Sequence, residues 1–229
     1  MPILLAIGAL LLIALLFGPQ WWVRHVLARH GVERPDFPGT GGELARHLLD
    51  EAGLRAVKVE LTGHGDHYDP EDRAVRLLPE HHDGRSIAAV AVAAHEVSHA
   101  VQHACGERAF ALRFDLVRRL TWVDRLASAI LLLAPVVFIL VKAPILLALQ
   151  LIAGIALFGA RIVVHLVTLP VELDASFGKA LPALLRGRYL SASDMPAARS
   201  VLWAAAWTYV AAALATLLDV ARWLRVLRF

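Results

Sequence analysis

Charge is almost absent from residues 1–18, 126–141, 143–160 and 200–218, whereas 24–119 mixes apolar and polar positions as an ordinary globular module does. Uncharged runs approaching ~20 residues suit membrane-crossing helices, so the pattern predicts four such helices and one soluble module. The expected organisation is a first transmembrane helix over 1–23, the module over 24–125, and a transmembrane hairpin over 126–170. A segment over 171–199 and a fourth transmembrane helix with a basic tail over 200–229 complete it. Trp21 and Trp22 fall where interfacial aromatics belong, and Lys142 with Pro144 makes the hairpin turn. A capping-box spacing at Ser191 and Asp194 precedes the last helix.

Inside the module the periods change. TGGELARHLLDEAG has Thr40 and Glu43 at capping-box spacing, Leu44, Leu48 and Leu49 on one face, and Gly53 as a stop. VKVEL alternates as a strand, and DHYDPEDRAVRL turns at Asp69–Asp72 into a second, giving a short β-ribbon that must pack on neighbouring helices. From Ser86 to Cys105 runs a long helix with Gly106 beyond it.

Composition agrees with the pattern: 58% of the 229 residues are hydrophobic and the mean hydropathy is +0.59, above the roughly 45–50% apolar usage of soluble domains. Basic residues such as Arg24, Arg29, Arg113, Arg118, Arg119 and Arg125 crowd the ends of the soluble module, which by the positive-inside tendency predicts that the module is cytoplasmic. The formal charge of +3 is largely these flanking arginines, so no nucleic-acid partner is inferred. One cysteine, Cys105, excludes an intrachain disulfide.

The chemistry concentrates in AAVAVAAHEVSHAVQHACGE, residues 88–107. His95 and His99 are four apart, on one helix face, where two imidazoles can meet one metal ion. Glu96 is rotated by about 100° from His95, so its carboxylate stands beside the metal, able to take a proton from an activated water and pass it on. Ala and Val all round the preceding turns mark a helix buried on every side, and buried histidines need a partner such as a metal.

A third ligand must come from elsewhere. His103 is about 12 Å along the helix from His95 at 1.5 Å per residue, too far to share a single ion comfortably, and reads as a hydrogen-bonded helix-surface histidine. LPVELDAS supplies Glu172, with Asp174 and Asp194 as weaker candidates. A helix continuing through Pro170 would align Arg161, His165, Thr168 and Glu172 on one face, with His165 and Arg161 pointing into the bundle or a wet cavity below the site. In DHYDP, His67 or Tyr68 could donate to a tetrahedral oxyanion, whereas Asp69 and Pro70 suit a turn; the neighbouring strand edge could hold an extended peptide.

TGGELARHLLDEAGL, DHYDP followed by AVRL, SIAAVAVAAHEVSHAVQH, LVTLPVELDAS and TYVAAALA resemble, in order, the YugP-type neutral zinc metallopeptidases of bacterial membranes. The likeness covers most of the chain. It implies a gluzincin-like peptidase with one Zn2+ per chain, His95 and His99 as zinc histidines, Glu96 as catalytic glutamate and Glu172 as third ligand. Ser98 stands where the family prefers glycine. Ser176 stands where other membrane gluzincins have an aspartate that orients a zinc histidine; Asp174 is the substitute to test.

The expected fold class is therefore mainly α: a polytopic membrane protein with about four transmembrane helices and a cytoplasmic zincin-like helical module. The expected function is a membrane-integrated zinc metalloendopeptidase of the bacterial inner membrane, acting on peptide or protein substrates and in contact with the lipid bilayer. A non-catalytic membrane scaffold with a structural zinc is the alternative. A transporter is disfavoured, because no paired broken helices occur.

Overall fold

The computed structural model describes residues 2–141 and 144–226 of the chain. In order, the elements are α1 (Pro2–His30), α2 (Gly41–Glu51), β1 (Lys58–Leu61), β2 (His67–Asp69), β3 (Ala74–Leu77), α3 (Pro79–His82), α4 (Ile87–Ala104), α5 (Arg108–Val141), α6 (Pro144–Leu173), a π-helical stretch Asp174–Ala180, α7 (Leu181–Gly187) and α8 (Met195–Val226).

Helix α4 is the hub. Every residue from Ile87 to Ala100 is buried, because α2, α3, the sheet, the π-helical stretch and α8 all pack against it. Its small Ala and Val side chains let neighbours approach closely on all sides, as the apolar circumference predicts. Ser86 caps it by accepting the Ala89 N–H at 3.0 Å, Cys105 closes it and Gly106 follows.

Helix α2 carries the expected capping box: the Thr40 side chain accepts the Glu43 N–H at 3.2 Å, and the Glu43 carboxylate accepts the Thr40 N–H at 2.8 Å. Its N-terminus abuts the α3–α4 region so closely that a Cβ on Gly41 would lie 2.2 Å from the His81 carbonyl oxygen and 2.8 Å from that of Ala89.

The expected two-stranded ribbon is instead a three-stranded sheet in the order β1-β3-β2. β3 is the strand expected after the Asp69–Asp72 turn, but its hairpin partner is the unexpected β2, with Asp69 opposite Ala74; β1, the VKVEL strand, lies parallel to β3 on its other side, Lys58 opposite Ala74 and Leu61 opposite Leu77. Asp69 builds the turn, its Oδ1 accepting the Glu71 and Asp72 N–H groups at 2.9 and 3.2 Å. β2 has only three residues, too few for an alternation to register in the sequence.

The predicted four-span membrane architecture is corrected. Among the described residues, no helix is long and apolar enough to cross a membrane. The apolar blocks instead lie inside longer helices that pack on each other, α1 on α8, α5 on α6 and α6 on α8. On α8, Ala198, Ala204, Ala206, Ala211 and Ala213 are buried together with Val201 and Leu202. With no such helix among the described residues, the flanking-charge asymmetry has nothing there to orient, and Arg113, counted among those flanks, is half-buried and paired with Glu172. Lys142, at the expected hairpin turn, and the Arg161 side chain lie outside the described residues.

Two stability measurements follow. Thr40→Ala should cost about 1 kcal/mol in denaturant unfolding, the usual value of an N-cap. Gly41→Ala should cost roughly 1–3 kcal/mol by overpacking, while Gly63→Ala, where a Cβ meets nothing within 4 Å, should stay within about 0.5 kcal/mol of wild type.

Candidate metal centre

His95 and His99 leave the middle of α4 one turn apart, their ring centroids 4.7 Å from each other. Helix α6 continues through Pro170, as the face containing His165, Thr168 and Glu172 requires, and its last turn brings Glu172 onto the histidine pair. Glu172 Oε2 lies 3.0 Å from His95 Nε2 and 3.3 Å from His99 Nε2. One ligand atom from each of the three residues lies within 4.8 Å of the others, and all three side chains are buried.

A carboxylate with 1% exposure needs positive charge nearby. Burial alone would raise the Glu172 pKa, but His99, His95 and Arg113 together hold it well below the usual carboxylate range. Burial likewise disfavours a charged His95, yet the Glu172 carboxylate outweighs it and raises the imidazole. Arg113, from α5, approaches the other carboxylate oxygen at 2.8 Å as an ion pair that is not aligned for a hydrogen bond. Its guanidinium also donates to the Tyr209 hydroxyl and lies 5.0 Å from the Tyr209 ring centroid.

The backs of the imidazoles are held as well. His95 Nδ1 lies 3.1 Å from Ser176 Oγ, and Ser176 donates to the Leu202 carbonyl at 3.0 Å. His99 Nδ1 lies 2.9 Å from Gln102 Oε1. Asp174 does not reach a histidine directly; its Oδ2 accepts the Gln102 Nε2–H at 2.7 Å and pairs with Lys179.

The three donors line a cavity of about 620 Å³ together with Glu96. One wall is the DHYDP segment, another the α5 face of Phe110, Phe114 and Val117, and α6 and α8 contribute His165 and Tyr209. His67 donates its Nδ1–H to the Gly65 carbonyl at 2.8 Å, while the Tyr68 hydroxyl is 2.9 Å from His103 Nδ1. His103 is thus a hydrogen-bonded neighbour of the cavity wall. His165 stands 6.1 Å from Tyr209, ring to ring. Asp194 is remote from the centre, paired with Arg34 at 3.1 Å.

Reading the residues singly missed Arg113, Gln102 and Tyr209. Arg113 looked like one more basic flank and Gln102 carried no motif; Tyr209 was visible only as part of TYVAAALA.

Two imidazole nitrogens and one carboxylate oxygen, buried and convergent, form a donor set of the kind zinc takes when one position stays open. A single Glu172 oxygen facing the Nε2 atoms of both rings is the observation that a cation fits. Residues 4–228 match the family described as "Putative neutral zinc metallopeptidase". The chain is also 38% identical over 230 residues to the "Putative membrane protease YugP" of Bacillus subtilis (strain 168), covering 98% of this chain and 95% of that one. No solved structure matches the chain. The resemblance read from the five ordered motifs is therefore borne out, zinc is the metal that goes with it, and the chain belongs to the neutral zinc metallopeptidase family.

Proposed function

We propose that the chain is an endopeptidase in which His95, His99 and Glu172 hold zinc and Glu96 is the catalytic base. What carries this reading is the meeting of three buried donors in a cavity that Glu96 also lines. Zinc bound there would supply Lewis-acid polarisation of the scissile carbonyl and acidify a water at neutral pH. Glu96 takes the proton of the attacking water on its carboxylate and delivers it to the leaving amine. Arg113 keeps Glu172 ionised, and so able to act as a ligand, by facing its second oxygen.

The substrate is read as an extended peptide laid along the open edge of β2, whose residues His67–Asp69 line the cavity. His67 is the better placed of the two DHYDP candidates for contacting a substrate carbonyl, because Tyr68 would first have to leave His103. Asp174 and Ser176 serve as positioning residues behind the histidines, and His165 as part of the cavity floor. The module of residues 24–125 supplies the histidine helix and the strand edge, and 171–199 the acid that completes them.

The relative from Bacillus subtilis is named a membrane protease. Phe17, Trp21, Trp122, Leu149 and Ile152 are exposed, and large apolar surface of this kind marks contact with lipid or a partner. Both support a lipid surface as the setting in which the peptidase works. Flotation of the purified chain with phospholipid vesicles checks it: recovery in the vesicle fraction is expected, and recovery in the soluble fraction would count against it.

Glu96→Gln should keep one zinc per chain and lose about 10²–10⁴ in kcat on an unfolded protein substrate. Wild-type turnover by the zinc-loaded variant would end the proposal. Zinc added to chelator-stripped protein should raise the unfolding free energy by about 4 kcal/mol at a thousandfold excess over its Kd. The same titration on His95→Ala should give no such gain.

A further inference from the structure

Gln102 is, with Ser176, one of the two polar side chains fully buried behind the histidines, neither binding a candidate ligand atom nor facing the reaction. It is 1% exposed and on α4, three residues beyond His99. Its amide has three partners, the Val171 carbonyl at 3.0 Å, Asp174 Oδ2 at 2.7 Å and His99 Nδ1 at 2.9 Å.

Hydrogen-bond capacity fixes what each partner does. A carbonyl and an ionised carboxylate only accept, so both amide hydrogens of Gln102 point at Val171 and Asp174. Its oxygen, which only accepts, then faces His99. The proton on the His99 side of that contact therefore sits on Nδ1, and Nε2, on the Glu172 side, is the nitrogen left to take the ion. Were the amide reversed, its hydrogens would leave two acceptors unmatched in a buried place and push His99 into the tautomer that cannot ligate.

Asp174 is itself held. Lys179 pairs with it and with Glu107 at 2.8 Å. Gly178 leaves room for its carboxylate, since a Cβ there would lie 2.2 Å from Asp174 Oδ1. The π-helical stretch directly after Glu172 thus presents Asp174 to the back of His99 and Ser176 to the back of His95.

We propose that Gln102, anchored by Asp174, is the positioning residue that locks His99 in its Nδ1–H tautomer, so that His99 is presented to the metal through a neutral amide and not through a carboxylate. With Ser176 behind His95, both histidines are backed by uncharged acceptors, and Glu172 is the one anionic donor of the three. The inference rests on the zinc reading above, but its first observable does not need zinc.

The test uses the full chain. In metal-free protein with nitrogen-labelled histidine, the His99 ring should carry a proton on Nδ1 whether or not Nε2 facing Glu172 is protonated as well; Gln102→Leu should give a mixture or the neutral form protonated on Nε2 alone. Zinc affinity, read by competition with a chromophoric chelator, should fall about 10–100-fold in Gln102→Leu. Gln102→Glu, which keeps an acceptor toward His99, should hold zinc at least tenfold better than Gln102→Leu. Asp174→Ala, at a side chain still 43% exposed, should also loosen the tautomer and weaken zinc, but add little in the Gln102→Leu background.

An unchanged ring tautomer in both Gln102→Leu and Asp174→Ala would overturn the proposal. So would zinc losses from the two substitutions that simply multiply. His99→Ala separates the readings: if it keeps zinc, the metal assignment falls, while the ring tautomer still decides the lock.

Discussion

The burial of α4 on all sides is the constraint on which the rest depends. A helix of Ala and Val packs closely against five neighbours, which excludes water from its whole middle. Every polar side chain placed there must then be satisfied by protein or by a bound ion. His95, His99 and Gln102 meet that demand with partners from outside the helix: Glu172, Ser176, Val171 and Asp174. All four come from the end of α6 and the π-helical stretch that follows it. Packing and chemistry are one requirement at this place, because the element that covers α4 also completes its polar network.

Charge is arranged with the same economy. Glu172 is the acid of the centre and lies between two imidazoles and a guanidinium. Arg113 in turn leans on Tyr209, whose pKa burial and Glu172 push far up, keeping its hydroxyl protonated. The chain from α8 to α5 to α6 thus ends on an oxygen of the acid, and the histidines meet its other oxygen. A buried ion pair of this kind contributes little net stability, so its value lies in fixing where the carboxylate points.

Local features were legible in the sequence wherever they depend on near neighbours. The Thr40–Glu43 box, the Ser86 cap, the Asp69 turn and the spacing of His95 and His99 are each settled within a few residues. Continuation of α6 through Pro170 was only a condition of the face pattern, and the helix meets it. Long-range pairing was not legible: Gln102 meets Val171 and Asp174 across 69 and 72 positions, and no local period announces it. The sheet was misread for a related reason, since parallel pairing of β1 with β3 leaves no mark on either strand. Apolar blocks were read as membrane spans because a helix packed on other helices and a helix packed in lipid can carry the same composition. Arg113 shows the opposite error, a residue whose composition suggested surface and whose partner lies inside.

The order in which the donors occur along the chain has a temporal meaning. The histidines precede Glu172 by 77 and 73 positions, so a growing polypeptide exposes its histidine helix long before the acid has been made. Only when the end of α6 has emerged and the π-helical stretch after it has docked on α4 does the three-donor set exist. A half-made or misdocked chain therefore lacks the three-donor set altogether, and whatever chemistry the set supports begins only when folding is complete.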